Sequence, residues 1–582
     1  MYKLEDFTLA EMLEKSASRY GSLPALEMVG GRRFSYAEAA QGAGKAAKAL
    51  GAAGIGKGDK VALISENSPW WAMAYLGIIL SGATAVPILI DFTGEQMGNI
   101  ILHSEASAAI CSEKMSQKLR SMSLGVKFFD VVDMAERDGA SWAKITSQEA
   151  SLPGGSRPQG KVQSDDVAMI VYTSGTTGLS KGVMLTHRNI LSNAEACKSI
   201  IVLRRTDRLL SILPLAHTYE FTIGFVIPFL AGSHIHYLDR PPSATVLLPA
   251  LKAVRPTIML SVPLVIEKIY RSSIKPTLEG MKLYANPLFK PLLVRFAGIK
   301  LKKTFGGRLR FFGVGGAPLA ADVEAFLLKA RFPYAIGYGL TETAPLLAGC
   351  PPFRTTLRST GPALKGVELR IADAKPETGE GEIQARGDNV FKGYFKNPEK
   401  TAECFTDDGW FRTGDLGFID EKARVFVRGR IKTMILGASG ENIYPEEVEA
   451  VINQSPYVAE SLVVEGEGGL TAFVYLKSEV LENLESRIRD GIDAAGELSG
   501  KMGAAIANAE KSVTASLGHA LEDAEKAAGR LLESIRKEAN EKLSSFSKIR
   551  SIRLQKNPFE KTPTQKIKRF LYAKGGEQAK KD

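Results

Sequence analysis

The run from Tyr172 to Gly182, YTSGTTGLSKG, combines the residue types that bind phosphate. Its glycines let backbone N–H groups approach phosphate oxygens, its serine and threonine hydroxyls donate hydrogen bonds, and Lys181 adds a positive charge. The run is not a Walker A loop, because that motif needs Gly-Lys-Ser/Thr in succession and here Lys181 lies between Ser180 and Gly182. Taken alone, a flexible loop of small polar residues would explain the same composition.

Six further strings with polar, charged or glycine-rich cores follow this loop along the chain. They are LPLAHTYE (213–220), GGAPL (315–319), GYGLTETAP (337–345), GWFRTGDLG (409–417), GRIKTMILGASGENIYPEEVE (429–449) and KTPTQKIKR (561–569). Together with YTSGTTGLSKGVMLTHRN, they closely resemble, in the same order, the motifs of the adenylate-forming enzymes, which include acyl-CoA synthetases, peptide synthetase adenylation domains and luciferases. The chain is therefore identified as a member of this superfamily over nearly its whole length.

The resemblance implies an ATP site. The residues expected to embrace the β- and γ-phosphates are Thr173, Ser174, Gly175, Thr176, Thr177, Gly178 and Lys181. The residues expected around the nucleoside are Gly315, Gly316, Ala317 and Pro318 as a wall against adenine, Tyr338 stacked on the base with Gly339 beside it, Asp415 accepting from the ribose hydroxyls, and Arg430 next to ribose and phosphate. A flat aromatic ring is suited to the stacking role.

The resemblance also implies the catalytic groups. Thr341 is expected to donate to the α-phosphate, and Glu342 to hold Mg²⁺, a hard ion that prefers oxygen ligands. Lys566 is similar to the family's catalytic lysine, whose charge would stabilise the pentacoordinate transition state. Gln565 departs from the family, which usually has glycine before that lysine. His217 is either a residue beside the acyl pocket and nucleotide or a structural histidine.

The implied reaction has two steps: formation of an acyl adenylate with release of pyrophosphate, then transfer of the acyl group to coenzyme A with release of AMP. Between them the small domain is expected to rotate about Lys432, and Gly440 to let the pantetheine arm pass. LPLAHTYE and SGENIYPEEVE look most like long-chain fatty acyl-CoA synthetases. The uncharged FTIGFVIPFLAG (221–232) is either a wall for an acyl chain or a core helix.

Three other functions stay open: ligation of an aryl or other carboxylic acid to coenzyme A, acyl transfer to a carrier protein, and a nucleotide-binding pseudoenzyme. The presence of Lys566, Glu342, Asp415 and Arg430 together argues against the last.

The pattern of elements predicts an α/β fold. Residues 1–160 alternate helical and strand patterns, 151–166 form a polar connection, and apolar runs such as RLLSILP, PTIMLSV and LRFFGVGG then predict mostly parallel sheets covered by helices. From about Thr360 the pattern is β-rich. We predict a large domain over 1–429 that binds ATP and the acid, and a small mobile α+β domain over 430–582 with a helical insertion at about 480–545.

Composition excludes several classes. The chain has 582 residues, 45% hydrophobic and 24% charged, which is typical of a soluble globular protein of several domains. Its four cysteines are far apart, which argues against disulfides and a cysteine-rich zinc site. The first residues lack a secretion signal, so we expect a cytoplasmic protein. The sequence sets no oligomeric state.

A net charge of +11 favours anionic partners. No nucleic-acid-binding motif accompanies it, so no nucleic acid is expected. The stretch 275–303 interleaves bases with apolar residues, and it is either a contact with the inner face of the membrane or a solvated helix pair. His234 and His236 have no acidic or cysteine partner nearby in sequence, and we assign them no metal.

Trp70 to Ile90 carries no charge and approaches the length of a membrane span. The pattern instead predicts a buried helix to about Leu80, a turn at residues 81–83, and a short strand containing Pro87.

Overall fold

The computed structural model describes residues 2–138, 161–173, 181–436, 442–466, 469–482, 526–561 and 567–572. Within them, contacts divide the chain into two compact units, unit 1 up to Val427 and unit 2 from Arg428. The predicted boundary between residues 429 and 430 lies two residues from this division. The predicted site residues Ser174, Gly175, Thr176, Thr177, Gly178, Gly440 and Lys566, and residues 483–525 of the predicted helical insertion, lie outside the described residues.

The strands and helices of the described residues follow in chain order. The strands are β1 (Pro24–Met28), β2 (Arg33–Ser35), β3 (Lys60–Ile64), β4 (Thr84–Pro87), β5 (Ala106–Cys111), β6 (Lys127–Asp130), β7 (Glu136–Arg137), β8 (Val167–Thr173), β9 (Lys181–Thr186), β10 (Arg208–Ser211), β11 (His234–Tyr237), β12 (Ile258–Ser261), β13 (Phe311–Val314), β14 (Tyr334–Gly339), β15 (Leu346–Gly349), β16 (Gly361–Pro362), β17 (Val367–Ala372), β18 (Gly381–Gly387), β19 (Gly393–Tyr394), β20 (Phe411–Ile419), β21 (Arg424–Arg430), β22 (Ile435–Leu436), β23 (Asn442–Ile443), β24 (Val458–Gly466), β25 (Gly469–Leu476) and β26 (Ile549–Leu554). The α-helices are α1 (Leu9–Tyr20), α2 (Tyr36–Ala52), α3 (Pro69–Leu80), α4 (Gly94–Ser104), α5 (Glu113–Ser116), α6 (His187–Ala196), α7 (Ile227–Ala231), α8 (Ala244–Val254), α9 (Pro263–Ile269), α10 (Lys275–Glu279), α11 (Lys290–Thr304), α12 (Ala321–Lys329), α13 (Pro398–Glu403) and α14 (Pro445–Ile452). Residues 526–542 are also helical.

Two eight-stranded sheets dominate unit 1. Their strand orders are β15-β14-β13-β12-β10-β11-β1-β2 and β19-β9-β8-β4-β3-β5-β6-β7. In both, the central strands are parallel and the outer pairs antiparallel. A five-stranded sheet, β16-β21-β20-β18-β17, forms the β-rich part. The predicted α/β fold, with mostly parallel sheets and a β-rich subdomain, is confirmed.

The central strands are apolar on both faces. On β3, Val61 and Leu63 point into a core shared by the two sheets with helices α1, α2, α3 and α6, whereas Ala62 and Ile64 pack with α4 on the other face. Because side chains alternate across a strand, burial of both faces produces the continuous hydrophobic runs seen in the sequence.

The uncharged run at residues 70–90 folds as predicted. Helix α3 ends at Leu80 and β4 follows at Thr84–Pro87. Ser68 caps the helix, accepting from the Trp71 backbone N–H at 3.1 Å. None of the described helices is both long enough and apolar enough to cross a membrane.

FTIGFVIPFLAG is helical: Glu220–Val226 forms a π-helical segment that continues into α7. Phe225 and Phe229 are fully buried in the shared core, and Phe229 packs on Tyr36 at 4.7 Å between ring centroids. The core-helix interpretation therefore holds for most of the segment, and one residue, Ile223, lines the cavity described below.

Unit 2 contains the sheet β24-β25-β26, with α14 and the helix 526–542 packed on it. From that helix Leu532, Ile535 and Ala539 enter the core, at the spacing of one helical face. The buried Glu449 carboxylate of α14 pairs with Arg569 at 2.5 Å. This ion pair anchors the chain at Arg569, which is three residues after Lys566, the predicted catalytic lysine.

Candidate functional site

The candidate site of unit 1 lies where the parallel strands β13 and β14 end. Gly315 follows β13, and Gly316 has a φ of +86°, a left-handed conformation that favours glycine. A Cβ atom on Gly315 would lie 3.1 Å from the ring of Tyr219, so this ring packs directly beneath the backbone. Residues 316–318 are exposed, as a wall for a ligand requires.

Tyr338 and Asp415, predicted at the base and the ribose, are in direct contact. The Tyr338 phenol donates to Asp415 Oδ2 at 2.8 Å, and both side chains are buried. Tyr338 belongs to β14, whereas Asp415 belongs to β20 of the five-stranded sheet. The fold therefore brings the Asp415 carboxylate to the Tyr338 ring, although the two residues are 77 positions apart in the chain.

Gly339, next to Tyr338, must be glycine. A Cβ there would lie 1.9 Å from the Pro345 carbonyl oxygen, which is closer than any side chain allows. The close approach folds the segment carrying Thr341 and Glu342 back over the end of β14, where Thr341–Thr343 forms one 3₁₀ turn.

Glu342 and Lys181 both contact Tyr394. The Tyr394 phenol donates to Glu342 Oε1 at 2.9 Å, and Lys181 Nζ lies 4.9 Å from the centroid of the same ring. Burial, and then the Glu342 carboxylate, raise the pKa of Tyr394 well above its ordinary value, so the phenol stays protonated and donates. Glu342 Oε2 makes no hydrogen bond to any described residue. The sequence analysis missed Tyr394, since a lone tyrosine in GYF carries no signal.

Two buried amides, also missed, hold the Glu342 turn. Asn193 of α6 donates to the Leu346 carbonyl at 2.6 Å and accepts from the Leu346 N–H at 3.2 Å. Asn389 donates to the Thr343 carbonyl at 2.9 Å, and Thr222 donates to the Ala344 carbonyl at 2.9 Å. These bonds fix the turn from three distant parts of the chain.

The remaining predicted residues are placed as follows. Thr173 ends β8 and pairs with Lys181 at the start of β9, so the two described ends of the phosphate loop are adjacent. His217 is half-buried between β10 and the π-helical segment. Arg430 ends β21, and Lys432 lies in the 3₁₀ turn Ile431–Thr433; both are exposed in unit 2. Lys561 and Ile567, which flank Lys566, form an antiparallel bridge.

An apolar cavity lies beneath the Gly315 wall. It is narrow: its free volume is about 20 Å³, room for about one water molecule. Its floor is one face of two strands: Phe311 and Gly313 of β13, and Ala335 and Gly337 of β14. Gly313, on β13, is two residues before Gly315, so the cavity adjoins the Gly315 wall.

The opposite side of the cavity comes from helical segments. Tyr219 and Ile223 line it from the π-helical region, and Cys197, Ile200 and Ile201 from the end of α6. None of the residues lining it is charged. Such a surface suits an apolar group and would disfavour a charged one.

A buried carboxyl group lies beside this site. Glu220 is fully buried, and neither of its carboxyl oxygens has a hydrogen-bond partner among the described residues. Burial raises the pKa of Glu220 to about 8, and a contact with Ser211 partly opposes the rise. The group is therefore protonated in the folded protein at neutral pH.

Glu220→Gln is expected to remove a pH dependence of stability. The folded carboxyl group keeps its proton up to about pH 8, whereas the unfolded one releases it near 4.5, so between these values the folded state binds more protons. Stability must then fall as pH rises through this window, by up to about 1.4 kcal/mol per pH unit. Urea unfolding of both proteins at pH 5, 6, 7 and 8 measures this; parallel curves for the two would contradict it.

His234 and His236 have no acidic partner nearby in sequence, but the fold brings one from a distant strand. Parallel pairing of β11 with β1 sets Glu27 opposite His236, and His234 Nε2 lies 3.2 Å from Glu27 Oε2. One ligand atom from each residue lies within 4.8 Å of the others. Arg33 already pairs with the Glu27 carboxylate, and burial, followed by His236, lowers the pKa of His234 to about 3. The absence of a metal here stays a prediction.

Comparisons with known proteins identify the family. The sequence profile of the family described as AMP-binding enzyme matches residues 13–395. The chain is 29% identical over 576 residues to long-chain-fatty-acid–CoA ligase FadD15 of Mycobacterium bovis, covering 92% of this chain and 90% of that protein. It is 30% identical over 489 residues to 4-coumarate–CoA ligase 3 of Oryza sativa, covering 79% and 80%. The solved structure of ATP-bound MatB from Rhodopseudomonas palustris matches with a TM-score of 0.69 at 25% identity, covering 97% of this chain and 99% of that one.

Proposed function

Because the chain belongs to the AMP-binding enzyme family, the adenylate-forming enzymes, we propose that it is an AMP-forming ligase that joins long-chain fatty acids to coenzyme A. The apolar cavity beneath the Gly315 wall carries the proposal. Its uncharged lining lies directly against the segment where the nucleotide is expected. An acid bound there would have its carboxylate near the phosphates and its tail among these apolar side chains, which must move apart to admit it.

The proposed chemistry balances in two steps. A carboxylate oxygen of the acid forms a bond to the α-phosphorus of ATP, while the bond from that phosphorus to the bridging oxygen breaks and pyrophosphate leaves. The thiolate of coenzyme A then forms a bond to the acyl carbon, and AMP leaves with the oxygen. Neither step needs a covalent enzyme intermediate; both need in-line placement and stabilisation of negative charge.

The described residues supply a part of this placement. Tyr338 would lie against adenine, and Asp415, held by the Tyr338 phenol, would accept from the ribose. Thr341 and Lys181 would donate to the phosphates. Lys566 would act on the carboxylate and α-phosphate in the first step, by the resemblance alone.

The residues present fit a magnesium ion. Glu342 is half-buried, one of its oxygens is held by Tyr394, and the other makes no hydrogen bond to a described residue. A carboxylate oriented in this way is a suitable ligand for a hard cation. Mg²⁺, when bound with ATP, would supply positive charge to the phosphates, and Glu342 is the residue that would hold it.

Two acid classes compete for the cavity, since the similar proteins include a long-chain-fatty-acid ligase and a 4-coumarate ligase. The lining favours an alkyl chain, because it is uncharged and includes branched aliphatic side chains on the wall opposite the strands. Ile200, Ile201 and Ile223 present methyl groups rather than the polar groups that a phenol would need.

The first experiment gives the purified protein Mg-ATP and saturated fatty acids of increasing length, or 4-coumarate, with and without coenzyme A, and measures AMP, pyrophosphate and thioester. Thioester that requires coenzyme A and peaks with long acids is the expected result. A preference for 4-coumarate would make the protein an aryl ligase, AMP without thioester would point to a carrier protein as acceptor, and no AMP with any acid would indicate a pseudoenzyme.

Ala335→Leu is expected to shorten the preferred acid. The added methyl groups enter the deep part of the cavity, and crowding of a packed site by extra methylenes costs about 1–3 kcal/mol, or roughly a 5- to 150-fold loss of kcat/KM for long acids. The kcat/KM for short acids should be unchanged. Ala335→Gly, which leaves the cavity open, is the matched control and should keep the long-chain preference. An unchanged length profile in Ala335→Leu would place the acyl chain elsewhere.

A further inference from the structure

The outer side of helix α11 and the turns before it form an exposed apolar surface. Val294, Gly298 and Leu301 of α11 are buried against the domain, with Gly298 packed so tightly that a Cβ would lie 2.5 Å from the Ala330 carbonyl oxygen. With 3.6 residues per turn, Phe296 and Ile299 point to the opposite side of the helix. Their exposed fractions are 63% and 60%.

The segment before α11 extends this surface. Leu288 is 85% exposed, and Phe289 and Leu292 are also exposed. The 3₁₀ turn Lys282–Ala285 lies against α11 and exposes Leu283. Large apolar side chains rarely cluster on the surface of a soluble protein without a partner. We call this set the α11 surface; its members are Met281, Leu283, Leu288, Phe289, Leu292, Phe296 and Ile299.

The charges around the α11 surface have a single sign. From residue 280 to residue 321 the chain contains no Asp or Glu. The bases within 280–304 are Lys282, Lys290, Arg295, Lys300, Lys302 and Lys303. Arg295 and Lys302, at about 100° and 80° from Val294, project to one flank of the exposed side, and Lys300, at about 240°, projects to the other. Lys303, at about 180°, lies on the exposed side itself, one turn beyond Ile299 along the helix axis. An apolar surface with bases on both flanks and at the end of the helix matches a bilayer interface with anionic headgroups.

We infer that the α11 surface docks this protein on an anionic lipid bilayer, with the apolar side chains inserted between headgroups and the bases on lipid phosphates. The alternative from the sequence, a solvated helix pair that packs its apolar side on the domain, accounts for the buried Val294, Gly298 and Leu301 but leaves the exposed Phe296 and Ile299 unexplained. The inference goes beyond the proposed ligase activity and does not depend on it.

The test is sedimentation of the full-length protein with vesicles. Phosphatidylcholine vesicles containing a minority of phosphatidylglycerol should carry the protein down, and pure phosphatidylcholine vesicles should carry much less. Raising the salt from about 0.1 M to about 1 M shortens the Debye length from about 10 Å to about 3 Å and should weaken binding. No binding to the anionic vesicles would overturn the inference.

Two double variants distinguish vesicle binding through the α11 surface from nonspecific binding through other exposed apolar side chains. Phe296→Ser with Ile299→Ser should lower the partition coefficient about tenfold or more. Leu102→Ser with Val202→Ser, which removes side chains 53% and 70% exposed outside this surface, should bind like the unmodified protein. Equal loss in both double variants, or in neither, contradicts the inference. Matching thermal unfolding of the variants establishes that they fold.

Sedimentation velocity without lipid tests whether the α11 surface instead binds a second copy of the chain. A dimer that the first double variant loses, together with no binding to vesicles, would assign the α11 surface to a second copy of the chain. Ligase activity on a soluble acid should be unchanged in both double variants, so failure of vesicle binding and failure of the proposed function are distinguishable.

Discussion

Glu342→Gln should lower the rate of AMP formation by roughly 100- to 1000-fold, the usual cost of removing one group that stabilises charge in a transition state. Gln has the shape of Glu, and its amide can still accept from the Tyr394 phenol, now at 2.9 Å from the carboxylate. The charge that would hold Mg²⁺ is lost. The measurement is pyrophosphate release with a long-chain acid over a range of magnesium concentrations.

Tyr394→Phe is the matched control for Glu342→Gln. It keeps the carboxylate and the ring beside Lys181 and removes the hydrogen bond that orients Glu342. We expect a smaller loss, about 10-fold, together with a higher magnesium requirement that saturating metal partly restores. If Glu342→Gln keeps the original rate at every magnesium concentration, Glu342 does not hold the metal.

Asp415→Ala should raise the KM for ATP by roughly 10- to 150-fold and change kcat little, since a hydrogen bond to a charged group contributes about 1.5–3 kcal/mol. The reason is the position of this buried carboxylate, which the Tyr338 phenol holds at the strand end where the ribose is expected. Initial rates of pyrophosphate release against ATP concentration provide the KM.

Asp415→Ala has two controls: a second protein variant, and ATP analogues that lack a ribose hydroxyl. Tyr338→Phe keeps the ring and removes the phenol at 2.8 Å from Asp415, so its KM should rise only a few-fold. ATP that lacks the 2′- or 3′-hydroxyl should be a poorer substrate for the unmodified protein, and Asp415→Ala should lose this discrimination. Discrimination that survives in the variant would assign the ribose to another residue.

Local pattern predicted much of the fold. The start of helix α6 follows from four consecutive residues that form a capping box: the Thr186 hydroxyl accepts from the Asn189 N–H at 3.1 Å, and the Asn189 side chain accepts from the Thr186 N–H at 2.9 Å. The helix at 69–80 and the strand at 84–87 follow from hydrophobic run length and turn residues. FTIGFVIPFLAG stayed ambiguous, since an apolar run without polar positions has no periodicity.

The sequence by itself determined the family, the order of its motifs and the identity of the residues that resemble an ATP site, because those signals are short and contiguous. Only the tertiary structure brought Tyr394 to Glu342, Asn193 and Asn389 to the turn that carries Glu342, and Glu27 to His236. It also decided that one side of α11 is buried and the other exposed. These contacts join residues far apart in the chain, and their geometry depends on strand pairing and side-chain packing, which no local pattern encodes.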